Sequence, residues 1–590
     1  MCGIVGFIGN CNARDIVIQG LERLEYRGYD SAGIAVYEDK INVYKDKGRV
    51  EALKNITKNV YSNLCIGHTR WATHGEVNKQ NSHPHSSNSN RFFIVHNGIV
   101  ENYRALKEQY LKDYNFYSQT DTEVIVNLID YFSKSYNIME SLFKTVNLLE
   151  GSHTILLLDK DNVNKIYYAK NKTPLSIGKG ENGYILASDT LALVNVTNNF
   201  FLVPDECYGY VDNKEIKCFS YKNEMVKIKY NKLNTDNLDV NKGDFKHFML
   251  KEINEQPKVI KSLIDKYFVG EKVNFKQELL DTIINSKKIN LVGSGTSMYA
   301  CYMGKYFFEK FCNIPSEVFC ASELVYSTPL ILGKPSFIFV SQSGETADSI
   351  AVLKRFKDNG NPIIVLSNNN LSTMSMLADF SLDLCAGKEV SVASTKAYIS
   401  EVVLMAILAF ALSKNEKNLK SELYKVSNVI DKLLGNMETY KNASIDIAKS
   451  KSIFYIGRGI DYWVSLEAAL KMKEISYIHA EAFSSGELKH GSIALIDKES
   501  TVIAICSQKG TNSITRSNLE EAKSRGAKTY IISMNDLCDN NDDFIIEDVE
   551  NYLTPLVTVV ITQCLAYYVA DYLGNDIDKP RNLAKSVTVE

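Results

Sequence analysis

Cys2 stands in the opening run Met1-Cys2-Gly3-Ile4-Val5-Gly6 and raises the first chemical possibility. With Met1 removed, Cys2 carries both a thiol and a free α-amine, and an α-amine of pKa about 7.7–8.0 is partly unprotonated at neutral pH. One residue then holds a nucleophile and its own general base. A small second residue that happens to be cysteine is the plainer alternative, so the neighbouring motifs decide. Four share its part of the chain: Arg27-Gly28-Tyr29-Asp30-Ser31, His68-Thr69-Arg70-Trp71-Ala72-Thr73-His74-Gly75, His96-Asn97-Gly98 and Thr120-Asp121-Thr122-Glu123. They contain what an amide-hydrolysing thiol needs. Arg70 can clamp an α-carboxylate with two parallel hydrogen bonds, and Asp121 can hold an α-ammonium. The Asn97 amide and the Gly98 N–H can donate to a tetrahedral oxyanion. Each has an ordinary use as well: a surface arginine, an Asn-Gly hairpin turn, a helix N-cap.

A second set lies beyond residue 290. Ser341-Gln342-Ser343-Gly344-Glu345-Thr346 follows an apolar strand and precedes a helix. Hydroxyls and free N–H groups at a helix start attract an anion. The absence of Lys or Arg within the loop suits a phosphate monoester better than a triphosphate. Gly293-Ser294-Gly295-Thr296-Ser297-Met298 misses the third glycine of a dinucleotide fingerprint, and no Gly-x-x-x-x-Gly-Lys-Ser/Thr occurs. Glu467, Lys471 and Glu474 recur at i, i+4 and i+7, which is one helical face. The usual meaning of such a stripe is a solvated surface, but His490 follows closely, and together these groups could supply acid and base catalysis.

The first set, taken together, resembles the class II glutamine amidotransferase domain over residues 2 to about 230. That resemblance implies a four-layer αββα sandwich and glutamine hydrolysis. Cys2 would be the nucleophile, Arg70 and Asp121 would bind the amino-acid end, and Asn97 with Gly98 would form the oxyanion hole. Thr73, His74 and His83 would line the site, and Trp71 would sit where the family gates ammonia. The Ser341–Thr346 loop, Val392-Ala393-Ser394-Thr395-Lys396-Ala397, the run from Leu466 to Ala482 and the tail from Pro580 to Glu590 resemble the tandem sugar isomerase (SIS) domains of the glutamine–fructose-6-phosphate aminotransferase family. That resemblance implies phosphate binding by Ser297, Ser341, Gln342, Ser343 and Thr346, with Val392, Ser394 and Ala584 also at the sugar phosphate. His490 would open the sugar ring, and Lys585 would form a Schiff base with the C2 ketone. Lys471 would assist near the carbonyl, Glu474 would move a proton from C1 to C2, and Glu467 would organise the group. Ser492 departs from the family's usual proline after His490-Gly491, a loop detail.

The substrates so implied are L-glutamine and fructose 6-phosphate. No cofactor and no metal are expected, because the sugar's own carbonyl is the electron sink that pyridoxal phosphate otherwise provides. A homodimer, a cytoplasmic location, and neither nucleic acid nor membrane as partner complete the expectation. Another ammonia acceptor would call for a phosphoribosyltransferase loop, an ATP pyrophosphatase Ser-Gly-Gly motif, or flavin and iron–sulfur ligands, and none is visible. A sugar-phosphate-binding regulator would not need Cys2, Asn97, Glu474, His490 and Lys585 all intact.

The elements that must position these residues fall into two styles. Strands dominate up to about residue 230: Ile4–Ile8, Ala35–Tyr37, Leu64–Thr69, Phe92–His96 and Thr154–Leu158 among them, with helices over Arg14–Tyr26 and Thr122–Phe132. After a polar stretch at residues 232–246, strands alternate with long helices, the pattern of parallel sheets with helical cover. This second half repeats itself. Gly293 matches Gly457 at an offset of 164 residues, and Ser341-Gln342 matches Ser507-Gln508 at 166. The expected domains are 2–231 (Ntn-type sandwich), a linker at 232–246, SIS α/β domains at 247–430 and 431–574, and a tail at 575–590 that completes the sugar site.

Bulk properties fit a multidomain globular chain. It has 590 residues, 45% hydrophobic and 23% charged, with net charge −3 and no polybasic stripe. The twelve cysteines form no Cys-x-x-Cys pair and read as reduced thiols. His83-Pro84-His85 lacks the partners of a zinc site. The uncharged run from Asn551 to Ala570 has the length of a membrane span, but its threonines, proline and glutamine favour a buried core or interface helix.

Overall fold

The computed structural model describes residues 2–71, 75–232, 241–327, 329–413 and 418–587, apart from the side chain of residue 26. It divides into two compact units, one built chiefly from residues 1–238 and the other from 239–585.

The first unit stacks an eight-stranded and a six-stranded sheet, both antiparallel. Ile4 and Ile8 of one sheet pack on Val95, Leu156 and Leu158 of the other, forming the inner apolar layer. Helix Ala13–Leu24 covers the outer face of the larger sheet, so closely that a Cβ on Gly20 would lie 2.9 Å from Val5. Helices Thr122–Ser133 and Ile138–Val146 cover the other outer face through Val124, Leu128 and Leu142. This is the expected αββα layering. Strand Gly3–Gly9 reads as buried throughout, rather than alternating, because both of its faces are covered. The helix expected to reach Tyr26 ends at Leu24 and tightens into a 3₁₀ turn, Glu25–Arg27. Arg27 is pulled away to the Ser188 carbonyl and the Asp189 carboxylate.

The second unit holds two five-stranded parallel sheets. In the first, the spatial order is Ser316–Cys320, Ile289–Gly293, Ser336–Ser341, Ile363–Ser367, Phe380–Asp383; in the second it is His479–Ser484, Ser452–Gly457, Ser500–Cys506, Lys528–Met534, Phe544–Ile546. Both therefore follow the order 2-1-3-4-5, and the sequence repeat is a repeat of topology. The two halves share one apolar cluster, in which helices Lys396–Leu412, Ile460–Ser476 and Thr554–Tyr572 meet. Lys396–Leu412 is buried on all sides from Lys396 to Phe410, and Thr554–Tyr572 from Thr554 to Tyr567. Helices apolar all round belong inside a core, which is where the membrane-length run lies.

Candidate functional site

Strand register places Cys2. Gly3 pairs with Thr69, so Cys2 lies beside the end of strand Leu64–Arg70. Its Sγ accepts from the Trp71 N–H at 3.3 Å. Gly3 is required for this approach, since a Cβ there would fall 2.7 Å from Thr69 Oγ1 and 2.8 Å from Leu24 Cβ. Burial raises the Cys2 thiol pKa against the pull of Trp71 N–H, Arg70 and Arg27, so the thiol needs a base before it can attack.

The partners converge on it. Asn97 Nδ2 donates to the Cys2 carbonyl at 3.1 Å. Asn97 and Gly98 lie inside strand Phe92–Val100, not in a hairpin turn. Gly98 has φ +134°, and a Cβ there would meet the Ser152 carbonyl oxygen at 2.0 Å. Cys2, Asp30 and Asp121 all act electrostatically on Arg70, which is buried and donates to the Gly75 and Glu76 carbonyls at 3.4 and 3.3 Å. Asp121 begins helix Thr122–Ser133 but makes no side-chain cap. Its carboxylate accepts instead from Val100 N–H at 2.8 Å, tying the helix start to the end of the Asn97 strand. Trp71 meets Tyr29 edge-on at 6.0 Å between centroids.

His83 stacks on His68, with centroids 4.0 Å apart, and its Nδ1 accepts from His96 N–H at 3.3 Å. Burial, then the neighbouring Arg70 and His96, brings His68 down to about 3, and burial with three histidine neighbours holds His83 well below the usual imidazole range. These rings are neutral and act through hydrogen bonds, not charge. Lys45 donates to the Ser82 and Pro84 carbonyls at 2.7 and 3.1 Å and so fixes the loop that carries His83. Thr73 and His74 lie outside the described residues.

The second unit gathers most of the remaining residues. Strand Ser336–Ser341 runs into the serine loop, where Ser341 Oγ accepts from Gly344 N–H at 3.1 Å and lies 3.4 Å from Thr346 Oγ1. Ser343 Oγ accepts from Glu345 N–H at 3.2 Å. Gly344 has φ +65°, and a Cβ would lie 2.1 Å from Ser372 Oγ. Gln342, Ser343 and Thr346 are partly exposed. In a 2-1-3-4-5 sheet the crevice between strands 1 and 3 is the place where ligands bind, and this loop occupies it. Ser297, on the helix after strand 1, points its Oγ to Glu401 Oε1 at 2.7 Å. Its neighbour Thr296 donates to Glu467 Oε1 at 3.3 Å.

Glu467, Lys471 and Glu474 are not a solvated stripe. Glu467 and Lys471 are buried, with Lys471 Nζ 3.6 Å from Glu467 and 2.5 Å from Glu474. Burial pushes Glu467 up to about 8 against the pull of Lys471, while Glu467 and Glu474 outweigh the burial of Lys471 and raise it to about 12. The tail is built in. Asp578 accepts from Phe248 and Met249 N–H groups, both at 2.9 Å, and its carbonyl accepts from Val392 N–H at 3.0 Å. Arg581 lies over the Tyr477 ring at 4.2 Å. Lys585 ends this path in an ion pair with Glu389, whose Oε2 also accepts from Ser394 Oγ at 2.8 Å. Ala584 precedes Lys585 in the chain, and Val392 stands three residues after Glu389. His490 is the exception. It is exposed on a 3₁₀ turn, with no hydrogen bond or ion pair to the Glu467–Lys471–Glu474 group among the described residues.

Glu389 and Glu401 are the residues that sequence reading missed. Each had a signal: Glu389 stands just before the Val392–Ala397 motif, and Glu401 is the lone acid inside an apolar helix. Burial pushes Glu401 up to about 8. Glu389, at the N-terminus of helix Lys396–Leu412, accepts from Thr395 and Ala397 N–H at 2.9 and 3.1 Å. Burial opposes its charge, but Lys585 and these donors win and hold it at about 2.

Comparison with known proteins agrees with this layout. The glutamine amidotransferase domain model matches residues 68–195, and the SIS domain model matches residues 282–413 and 446–570. The chain is 45% identical over 602 residues to the glutamine–fructose-6-phosphate aminotransferase (isomerizing) of Listeria monocytogenes, covering 100% of both chains. It is 46% identical over 600 residues to the protein of the same name from Bacillus cereus, again covering 100% of both. Among solved structures, the C-terminal domain of the glucosamine-fructose-6-phosphate aminotransferase of Francisella tularensis superposes with TM-score 0.55 at 31% identity, over 58% of this chain and 100% of that one.

Proposed function

The chain belongs to the glutamine–fructose-6-phosphate aminotransferase (isomerizing) family, and from that premise we propose that it transfers the amide nitrogen of L-glutamine to fructose 6-phosphate, giving glucosamine 6-phosphate and L-glutamate. The observation that carries the reading is the joint presence, in one chain, of Cys2, whose thiol accepts from Trp71 N–H and whose carbonyl accepts from Asn97 Nδ2, and of the Glu467–Lys471–Glu474 group, with Glu467 and Lys471 buried, which Thr296 reaches through Glu467.

In the first unit, the Cys2 sulfur attacks the glutamine amide carbon. Its proton passes to the α-amine freed by loss of Met1 and on to the departing ammonia. Water then cleaves the thioester to glutamate. Arg70 and Asp121 hold the amino-acid end, and Asn97 and Gly98 stabilise the oxyanion, whose loss typically costs about 2.7–4 kcal/mol of barrier per donor. Trp71, Thr73, His74 and His83 line this site.

In the second unit, Ser297, Ser341, Gln342, Ser343 and Thr346 hold the phosphate, with Val392, Ser394 and Ala584 beside it. His490 opens the ring, reaching it from the exposed turn outside the Glu467–Lys471–Glu474 group. Lys585 condenses with the C2 ketone and releases water. Ammonia adds at C2 and expels Lys585, and Glu474 moves a proton from C1 to C2, converting a ketose imine to an aldose amine. Lys471 polarises the oxygen at the carbonyl, and Glu467 positions Lys471. The domain limits of this reading are 2–231, 247–430 and 431–574, with the tail 575–590 over the sugar. A homodimer is part of it, supported by the exposed apolar side chains of Tyr326, Leu330 and Leu332.

The test supplies glutamine labelled at the amide nitrogen with fructose 6-phosphate. Label in the amino sugar is expected, and label found only in free ammonia refutes the reading. Sedimentation equilibrium tests the dimer.

A further inference from the structure

The two repeats place the same parts at the same crevice and use them differently. In the first, strand Ile289–Gly293 leads through Gly295, at φ +55°, into helix Thr296–Cys312; in the second, strand Ser452–Gly457 leads through Gly459, at φ +59°, into helix Ile460–Ser476. Two residues past the second glycine stand Ser297 and Asp461. Across the crevice, strand 3 leads into Ser341-Gln342 or into Ser507-Gln508, each followed by a glycine, a threonine N-cap and a helix.

In the second repeat the Asp461 carboxylate fills that crevice. Its Oδ2 accepts from Ser507 N–H at 2.9 Å, and its Oδ1 accepts from Ser507 Oγ. Behind it, Gln508 Nε2 donates to Thr554 Oγ1 at 2.6 Å and to the Asn551 carbonyl at 3.1 Å, and Ser507 Oγ lies 2.7 Å from Thr554 Oγ1. Asp461, Ser507, Gln508 and Thr554 are 0%, 1%, 8% and 1% exposed, so the crevice is closed by its own residues. A carboxylate receiving a serine hydroxyl and the N–H that begins the loop makes the contacts a phosphate oxygen pair would make there.

We propose that the Asp461 carboxylate is a built-in stand-in for a phosphate group, filling in the second repeat the crevice that the Ser341–Thr346 loop borders in the first. The stand-in also has work to do. It pins the first turn of helix Ile460–Ser476 to strand Ser500–Cys506 and to helix Thr554–Tyr572, and that first helix carries Glu467, Lys471 and Glu474. Asp461 is thus a positioning residue, holding permanently what a ligand would hold only when bound. The inference rests on the reading that the Ser341–Thr346 loop takes phosphate.

Equilibrium dialysis with labelled inorganic phosphate, in the presence of saturating fructose 6-phosphate, tests it on the whole chain. Wild type is expected to bind no further phosphate, whereas D461S and D461G each bind one further equivalent, and millimolar phosphate raises their melting temperatures by several degrees more than that of wild type. Further phosphate on wild type, or none on either folded variant, overturns the proposal. Should neither variant fold in chloride, refolding in phosphate and in chloride at equal ionic strength decides: recovery in phosphate alone supports it, and equal failure overturns it. If wild type binds no fructose 6-phosphate, the reading of the first repeat is the one that has failed, and the one-phosphate difference between D461S and wild type is still read without the sugar.

Discussion

Lys585 and Glu389, 196 positions apart, form an ion pair whose side chains are 4% and 0% exposed. The pair joins the tail to the N-terminus of the long core helix Lys396–Leu412, where Glu389 also gathers Thr395 and Ala397 N–H and Ser394 Oγ. A lysine left buried without its carboxylate costs roughly 3–5 kcal/mol, a cost relieved when the last residues of the tail swing out to water. Glu389→Ala should therefore free the tail rather than unfold the core. Sugar amination should fall by about a hundredfold or more, the equivalent of about 2.8 kcal/mol, with glutamine hydrolysis retained. Limited trypsin digestion should cut the variant at Lys585 and spare wild type; equal protection of both would refute this.

Gly98 offers a test on the other unit. At φ +134° with a backbone oxygen 2.0 Å from any Cβ, it has room for no side chain. Gly98→Ala should shift the strand that carries Asn97 and displace the proposed oxyanion donors. The glutaminase rate should drop by about 10²–10³, while synthesis driven by added ammonium salts should persist. Loss of both activities together would point to misfolding of the whole chain instead.

Much of this was legible in the sequence because local rules sufficed. Gly293-x-Gly295 and Gly457-x-Gly459 read as strand–turn–helix units, and the matched offsets revealed two copies of one topology. Glu467, Lys471 and Glu474 were correctly put on one helical face, yet helical spacing says nothing of which way the face points; here it points inward. His490 shows the reverse limit. Its closeness to Glu474 along the chain did not bring it to the buried group, because strand His479–Ser484 carries the chain away first. Asp121 sat where an N-cap belongs, but its carboxylate is drawn to Val100 N–H by tertiary packing. Glu389 stands just before the Val392–Ala397 motif whose N–H and hydroxyl groups it gathers, but its pairing with Lys585, 196 positions away, comes only from the fold.

The buried acids predict how stability depends on pH. Burial raises Glu401 and Glu467 to about 8 and Asp461 to about 7, against about 3.9–4.3 when unfolded. Above about pH 4 the unfolded chain has released protons that the folded chain keeps, so these groups stabilise the fold in acid and that contribution is lost as pH rises toward 8. Glu389, held at about 2, works in the opposite sense but only below about pH 4. Glu401→Gln keeps the shape and an acceptor for Ser297 Oγ, without a charge to desolvate. Its urea midpoint relative to wild type should improve from about pH 5 to 8, with an upper slope of about 1.4 kcal/mol per unit. A difference that does not change with pH would mean that Glu401 is ionised throughout.

The Schiff-base role proposed for Lys585 can be separated from the role of the tail that carries it. Its Nζ lies against Glu389, and seven residues earlier in the chain the Asp578 carboxylate caps helix Phe248–Asn254, so the tail is anchored upstream of the lysine. Lys585→Ala should therefore leave residues 575–582 in place and fructose 6-phosphate affinity within about threefold, a change of under about 1 kcal/mol. Borohydride added with fructose 6-phosphate should reduce an imine on wild type and leave the sugar phosphate attached at Lys585, located by peptide mass mapping. Lys585→Ala should give no adduct and no amino sugar, from glutamine or from ammonia. Truncation before Pro580 should lose the adduct and also weaken sugar binding, since it removes Ala584 with the lysine. An adduct of equal yield on Lys585→Ala would move the covalent step to another lysine, with Lys471 the first to examine.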